Sequence, residues 1–440
     1  MNIRDRVLLF ALLACGAATA AEAALPIETW RTASGARVLF VATRELPIVD
    51  ISVEFPAGSS RDPAGKAGLS RLTLQLLRAG AGAMSETEIS DRLADVGAVL
   101  SANADNDRAG YALRSLSAPE KLEPALGVLQ AVLAAPRFDA AAFERERARA
   151  VAALRESLTR PATIAERELA SRLYGAHPYG AAALSSPQSI AALTRSDLVE
   201  FHRRHYVAER AVLALIGDLS RAEAQRLADR LTAGLPRAEG PLRALPAVPR
   251  LKQALEAHIA HPASQAHLRI GGIGVRRGDA DYYALWLGNH ILGGSGLNSR
   301  LSAELREKRG LTYSAYSYFA PYALEGPFVI GAQTQRAQAG EALQAMLATL
   351  RKFVDEGPTE AELAAAKQNV VGGFVLRVDS NEKILEYLAL IGFYDLPLDY
   401  IERFPREIEK VTRQQVRDAF RRRIDPARMV TVVVGPASDS

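Results

Sequence analysis

A stretch of 15 residues, 236–250 (PRAEGPLRALPAVPR), contains four prolines and a glycine. Proline lacks a backbone donor and blocks the continuation of helices and sheet ladders, so this density of prolines is typical of a linker. The chain of 440 residues therefore divides into a segment of residues 24–235 and a segment of residues 251–440. Each segment is of the size that one hydrophobic core can support.

The two segments repeat one order of hydrophobic patterns. Each begins with strand-like runs, continues with a helix, includes a long helical stretch and ends on an aliphatic run typical of a strand. The corresponding ranges are 37–41, 51–55, 69–78, 140–158 and 211–218 in the first segment, and 266–272, 282–292, 360–376 and 429–435 in the second. This order predicts an α+β fold: two tandem, homologous α/β domains with antiparallel-rich sheets packed with helices.

The first 23 residues have the parts of a secretory signal peptide. Arg4 and Arg6 form a basic start, and residues 7–14 (VLLFALLA) form an apolar run that is too short to span a bilayer. Residues 21–23 (AEA) then fit a cleavage site. We expect this signal peptide to be removed and the mature protein to lie in the periplasm; the alternative is a buried first helix.

Cys15, the only cysteine, offers a second route to the cell envelope. Residues 12–15 (LLAC) loosely resemble a lipoprotein processing site, which would leave a lipid anchor on Cys15. No later segment is apolar enough to span a membrane. The 54 basic and 50 acidic residues give a mixed surface without a long basic run, so the composition argues against a nucleic-acid partner.

Residues 62–70 (DPAGKAGLS) form a turn that leads into a helix, in which Leu69, Leu72 and Leu76 recur at helical spacing. Here the chain resembles the pitrilysin/insulinase family of zinc metallopeptidases, in its mitochondrial-processing-peptidase-like branch. The resemblance covers about residues 26–436. It implies that the two domains form half of a clam-shell chamber around a peptide.

The positions at which this family binds zinc do not carry zinc ligands. Catalytic members follow the turn with His-x-x-Glu-His, in which the histidines bind zinc and the glutamate is the general base. The matching residues are Arg71, Leu74 and Gln75, and the family's third ligand, a glutamate on a later helix, falls at Ala152 or Ala153. Arginine and glutamine are poor ligands and leucine cannot accept a proton, so we predict a degenerate site without metal in this chain.

Histidines elsewhere give one alternative metal site. His202 and His205 lie three apart on a probable helix, close to Glu200, and this spacing can hold zinc. The other interpretation is that they pack and cap the helix, as residues 201–206 (FHRRHY) resemble a structural helix end of the family. We interpret His177, in the family's His-Pro-Tyr-Gly pattern, as structural too.

Glycines open the most informative motif of the second segment, GGSGLNSRL. Gly293, Gly294 and Gly296 predict a flexible loop, and Asn298 or Ser299 can cap the helix that follows. The pattern lacks the Gly-Lys-Ser/Thr ending of a phosphate-binding loop. The resemblance implies instead that the three glycines lie near the substrate.

Arg306 and Tyr313 follow this loop. We place Arg306 in the last turn of the helix, and Tyr313 early in a strand over residues 311–319, joined by a tight turn at Gly310. Without the resemblance, Arg306 is a charge that suits a helix C-terminus and Tyr313 a half-buried strand residue. In the family, an arginine and a tyrosine at this spacing hold the substrate and stabilise the oxyanion, which implies a catalytic role for both residues.

The two motifs together predict a divided enzyme. Several family members split their chemistry between two homologous subunits, one of which binds zinc while the other supplies the arginine–tyrosine pair. The resemblance implies that this chain is the non-catalytic subunit, acting in trans on peptide substrates, with zinc held only by the partner. Residues 100–104 resemble the family strand that pairs with substrate. The alternative is a structural or peptide-binding scaffold without a catalytic contribution.

Overall fold

The computed structural model describes residues 25–435, in which the strands form two sheets. The predicted signal peptide and Cys15 lie outside the described residues. The first sheet contains β1 (Glu28–Arg31), β2 (Arg37–Ala42), β3 (Ile48–Phe55), β4 (Val99–Ala104), β5 (Ala109–Leu116) and β6 (Val212–Gly217). The second sheet contains β7 (Leu255–Ala260), β8 (Gln265–Ile273), β9 (Ala315–Phe319), β10 (Pro327–Gln335) and β11 (Val430–Gly435).

The strand order shows that the two sheets repeat one topology. The first is ordered β1-β2-β6-β3-β5-β4 and the second β7-β11-β8-β10-β9. Without the added edge strand β1, both orders read first, fifth, second, fourth and third along the chain. In each sheet the first and fifth strands pair in parallel and the other pairs are antiparallel. The predicted α+β fold with two tandem domains is confirmed.

Helices cover both sheets. The first half contains α1 (Leu69–Leu77), α2 (Glu86–Asp95), α3 (Pro119–Ala134), α4 (Ala140–Ser157), α5 (Pro161–Tyr174), α6 (Ala181–Leu184), α7 (Pro187–Ala191), α8 (Arg195–His205) and α9 (Arg221–Ala233). The second half contains α10 (Tyr282–Asn289), α11 (Arg300–Ser302), α12 (Ala339–Glu356), α13 (Glu360–Gly372), α14 (Asn381–Tyr394), α15 (Tyr400–Lys410) and α16 (Arg413–Arg423). None of the helices within residues 25–435 combines the length and the apolarity that crossing a membrane requires.

One helix of each half packs on the sheet of the other half. Helix α5 packs on β8 and β11, and α14 packs on β3 and β6, which are the equivalent strands of the first sheet. Glycine permits both close approaches. A Cβ added at Gly271 of β8 would lie 2.8 Å from Leu169 of α5, and one added at Gly392 of α14 would lie 2.5 Å from Leu39 of β2. The exchange buries apolar surface from both halves in shared cores.

Asp107, in the turn between β4 and β5, joins the two halves through polar contacts. Its buried carboxylate accepts hydrogen bonds from the hydroxyl of Tyr179 at 2.8 Å and from the hydroxyl of Tyr394 at 3.0 Å. It also accepts from the backbone N–H of Ala323, at 2.7 Å, in the turn between β9 and β10. The two equivalent hairpin turns of the repeat therefore meet at this carboxylate.

The proline-rich segment lies against the protein surface. Residues 235–254 contain no helix or strand. The backbone carbonyl of Pro246 is 3.0 Å from Nε2 of His177, and the carbonyl of Arg243 accepts from the guanidinium of Arg61 at 2.6 Å. These contacts hold the proline-rich segment, which connects the two sheets, against the surface of the first half.

Candidate functional site

Helix α1 begins at a turn that Asp62 organises. The Asp62 carboxylate accepts from the N–H groups of Gly68 and Ser70, both at 2.7 Å, so it satisfies donors that the first helical turn leaves free. Gly68 has a φ of +102°, which a residue with a side chain adopts at a cost. Burial raises the pKa of Asp62 to about 7.

The positions that match the family's zinc motif point in opposite directions. Arg71 and Gln75 are exposed on the outer side of α1, whereas Leu74 is only 4% exposed and packs in the core of the first half. The carbonyl of Leu74 accepts from the hydroxyl of Tyr111 at 2.6 Å, which fixes the helix over β5. The place of the catalytic base is therefore occupied by core packing.

Helix α4, which packs against α1, carries the position of the third ligand. Both Ala152 and Ala153 are exposed on it and offer no donor atom. Within residues 25–435 no group of three or more His, Cys, Asp or Glu side chains is arranged to hold a metal ion.

His202 and His205 have packing roles in the structure. Nε2 of His202 is 2.8 Å from the carbonyl of Leu133, and its ring stacks on Tyr206 with centroids 5.2 Å apart. His205 lies against Phe201, and burial lowers its pKa to about 4. Burial also lowers the pKa of His202, so both side chains favour the neutral form inside the core.

His177 is also structural in its contacts. Its Nδ1 accepts from the N–H of Tyr179 at 3.1 Å and caps the short turn at residues 178–180, while its Nε2 lies at the linker carbonyl described above. The side chain thus joins the turn at residues 178–180 to the proline-rich linker.

The glycine motif of the second half forms helical turns rather than an open loop. Helix α10 continues as a π-helical turn, His290–Gly294. A Cβ at Gly293 would lie 2.5 Å from the backbone nitrogen of Ser317, and a Cβ at Gly294 would lie 2.8 Å from Nδ2 of Asn289. Gly296 has a φ of +65° and open space around it. Packing explains Gly293 and Gly294, and the part of the three glycines in substrate binding stays a prediction.

Arg306 lies on a second π-helical turn, Ala303–Glu307, which follows α11. The N-cap of α11 is Ser299, whose hydroxyl accepts from the N–H of Ser302. Gly310, with a φ of +62°, ends the turn. π-Helical turns interrupt helices at a cost and recur at functional sites, so two of them beside one motif are informative.

Tyr313 lies just before β9 rather than inside it. The strand predicted to begin at residue 311 begins at Ala315. The Tyr313 side chain is therefore not half-buried by a sheet but 85% exposed. The guanidinium carbon of Arg306 is 5.1 Å from the centroid of the Tyr313 ring, within the range of a cation–π contact. The structure brings the two residues together, with Tyr313 exposed and Arg306 partly buried.

Neighbouring charges set Arg306 apart from the other cations of its turn. Lys308 and Arg309 both pair with Glu304, at 2.5 and 2.6 Å. Arg300 at the start of α11 binds Glu362 with two hydrogen bonds of 2.6 Å. Burial alone would raise the pKa of Glu362, but these bonds and those from Thr359 outweigh it and lower the pKa to about 2. Among the described residues, Arg306 has the Tyr313 ring as its contact and no ion pair.

This fold and this arrangement define a class: a tandem α/β metallopeptidase scaffold whose first-half site lacks metal ligands. Comparison with known families agrees. Residues 37–186 match the insulinase (peptidase family M16) model, and residues 192–370 match the peptidase M16 inactive domain. The chain belongs to peptidase family M16.

Individual relatives extend over nearly the whole chain. The crystal structure of the peptidase M16 inactive domain from Pseudomonas fluorescens is similar with a TM-score of 0.90 and 39% identity, over 94% of this chain and 98% of that one. An uncharacterized zinc protease of Mycobacterium bovis is 29% identical over 90% of this chain and 91% of its own length. A non-peptidase homolog of Helicobacter pylori is 24% identical over 87% of each chain.

Proposed function

We propose that this protein is the non-catalytic subunit of a periplasmic, heterodimeric zinc metalloendopeptidase. A homologous partner subunit supplies the zinc ion, the general base and the attacking water. This chain supplies Arg306 and Tyr313 to that site in trans. The observation that carries the proposal is the contact between Arg306 and the exposed Tyr313. The positions of this chain that match the family's zinc motif are Arg71, Leu74, Gln75 and Ala153.

The chemistry of the pair suits this role. When water attacks a peptide carbonyl, negative charge develops on the oxygen, and preorganised donors aimed at it lower the barrier. The guanidinium and the phenol of the pair are both donors. Because Tyr313 is largely exposed, its hydroxyl is accessible to a peptide held by a second chain.

A mixing assay tests the proposal. The mature chain is assayed on a quenched generic peptide with zinc present, alone and with a homologous chain that carries His-x-x-Glu-His. We expect no cleavage by this chain alone and chelator-sensitive cleavage by the mixture, above that of the companion. Cleavage by this chain alone would overturn the proposal.

Single substitutions then assign the pair. Arg306→Ala is expected to lower kcat of the mixture about 10²–10³-fold, the usual effect of removing one oxyanion donor. Tyr313→Phe removes only the hydroxyl and tests the second donor. Arg309→Ala is the matched control, because Arg309 lies three residues away on the same segment and pairs with Glu304. Equal losses in Arg306→Ala and Arg309→Ala would count against a specific role.

A structural or peptide-binding scaffold without a catalytic contribution is the second candidate. The similarity to a non-peptidase homolog of Helicobacter pylori favours this scaffold role. In that case the mixture keeps its activity in both Arg306→Ala and Tyr313→Phe.

A further inference from the structure

The backbone joins the sheet only after Tyr313, at Ala315. Strands β9 and β10 pair from Phe319↔Phe328 to Ala315↔Ala332. If the ladder continued, Tyr313 would lie opposite Thr334, within the sheet. It stops at Ala315, and the Tyr313 side chain turns outward instead.

Two threonine hydroxyls replace the missing ladder bonds. The Thr334 hydroxyl, on β10, donates to the carbonyl of Leu311 at 2.6 Å. The Thr312 hydroxyl lies 2.5 Å from the carbonyl of Gln333, also on β10, and accepts from the N–H of Ser314 at 3.1 Å. Both threonines are buried, at 2% and 8% exposure, so water does not compete for these bonds. Leu311 and Thr312, which precede Tyr313, are thereby fixed to β10, and Ala315, which follows it, is held by the ladder.

The other end of the segment is fixed to the turn that carries Arg306. The N–H of Leu311 donates to the carbonyl of Leu305 at 2.8 Å, and the N–H of Gly310 donates to the carbonyl of Arg306 at 3.0 Å. Leu305 and Leu311 are both buried in the second-half core. The carbonyl of Leu311 that receives the Thr334 hydroxyl thus belongs to the same residue that closes the Arg306 turn.

We infer that Thr312 and Thr334 are positioning residues that hold Tyr313 beside Arg306. An exposed tyrosine on a free loop would sample many orientations, and a donor must be held in place before the reaction to lower its barrier. The two buried hydroxyls provide this order through the backbone. This inference rests on the proposed function for its catalytic consequence, but its geometric part stands on the contacts of this chain alone.

Thr334→Val tests the inference because valine has nearly the shape of threonine and lacks the hydroxyl. In the mixture with the zinc-bearing companion we expect kcat to fall about 10- to 100-fold with KM unchanged, as misplacement of a positioned group does. Thr334→Ser, which keeps the hydroxyl, should restore kcat. Thr349→Val is the matched control: that buried hydroxyl of the same half donates to the carbonyl of Ala345 on α12 at 2.8 Å, inside a helix.

A second readout does not depend on activity. A fluorinated tyrosine at position 313, followed by ¹⁹F NMR in the isolated chain, reports the order of the ring. We expect Thr334→Val to shift the signal toward that of free fluorotyrosine, and Thr349→Val to leave it in place. If Thr334→Val does not fold, Thr312→Ser and Thr312→Val are compared in the same two measurements.

The outcomes separate the inference from the proposed function. Wild-type kcat and an unchanged ¹⁹F signal in Thr334→Val would overturn the inference even if Arg306→Ala is inactive. If Arg306→Ala and Tyr313→Phe both leave activity unchanged, the proposed function fails, and the ¹⁹F signal alone decides whether the threonines order Tyr313. A rise in KM without a fall in kcat would also contradict the inference.

Discussion

The two halves share one topology but differ in where they place the side chains at the family's motif positions. In the first half, Leu74 of α1 is buried in the core, whereas Arg71 and Gln75 lie exposed on the other side of the helix. In the second half, the partly buried Arg306 contacts the exposed ring of Tyr313. The comparison teaches that one topology can bury a side chain in the core of one half and hold a pair of side chains at the surface of the other.

Placing a charge at the two kinds of position on α1 should give the largest contrast. Leu74→Glu buries a carboxylate without a partner, and we expect it to lower the free energy of unfolding by about 3–5 kcal/mol. Gln75→Glu adds the same charge on the exposed side of the helix and should change stability by less than about 0.5 kcal/mol. Urea unfolding of both variants checks the pair. Equal, small effects would mean that Leu74 does not belong to the core.

Asp107→Ala tests whether the two halves form one unit. The substitution leaves two tyrosine hydroxyls and the N–H of Ala323 without their acceptor, which should cost about 3 kcal/mol. We expect calorimetry to show a lower Tm and a broader transition, since the halves lose a shared contact. Asp91→Ala, at an exposed position on α2, serves as the control. An unchanged Tm in Asp107→Ala would show that apolar packing alone joins the halves.

Acid should remove the stability that neutral His205 contributes, whereas Asp62, whose pKa is raised, acts in the opposite direction. His205 has a folded pKa of about 4, below the ordinary value of 6.5, so between these values the unfolded chain binds a proton that the folded chain does not. Stability from this group is complete above about pH 6.5 and is lost as the pH falls, by about 2 kcal/mol at pH 5. His202 has the same sign. Urea unfolding at pH 7.5 and pH 5 checks the loss, which His205→Gln should reduce.

The ion pair beside the second-half site should give the smallest effect. Glu362→Gln removes the charge that Arg300 binds and should cost about 1–2 kcal/mol at neutral pH, because the pair is partly exposed. The folded pKa of Glu362 is about 2, so its contribution is present above the ordinary value of 4.5 and is lost as the pH falls toward 2. Between pH 7 and pH 5, the free energy of unfolding should therefore change by the same amount in Glu362→Gln and in the wild type. A difference between them in that range would contradict the lowered pKa.

Local sequence patterns predicted much of the fold. The leucine spacing on residues 69–77 and the glycine at 310 predicted α1 and the end of the Arg306 turn, because helix faces and left-handed caps depend on neighbouring residues. The start of β9 was wrong by four residues: alternation over 311–314 resembles a strand, but threonine hydroxyls there replace the ladder. The flexible loop predicted at Gly293 proved to be a packed π-helical turn, since the Ser317 backbone that fills the space comes from a distant residue.

Long-range contacts were beyond local patterns. Nothing near Asp107 in the sequence indicates that Tyr179 and Tyr394 share its carboxylate, since the second of these lies 287 residues away. The contact between Arg306 and Tyr313 was within reach because a single turn separates the two residues. Their catalytic use, by contrast, came from the family resemblance and stays a prediction.

The exchange of α5 and α14 bears on how such a chain is built. Each sheet is completed by a helix from the other half, which is the arrangement of a domain-swapped dimer whose two subunits have been joined end to end. The proline-rich connection then needs only to tether the two units, because the swapped helices already hold them together. A break in that connection should therefore leave two fragments that remain associated, whereas neither fragment expressed by itself would have a complete hydrophobic cover for its sheet.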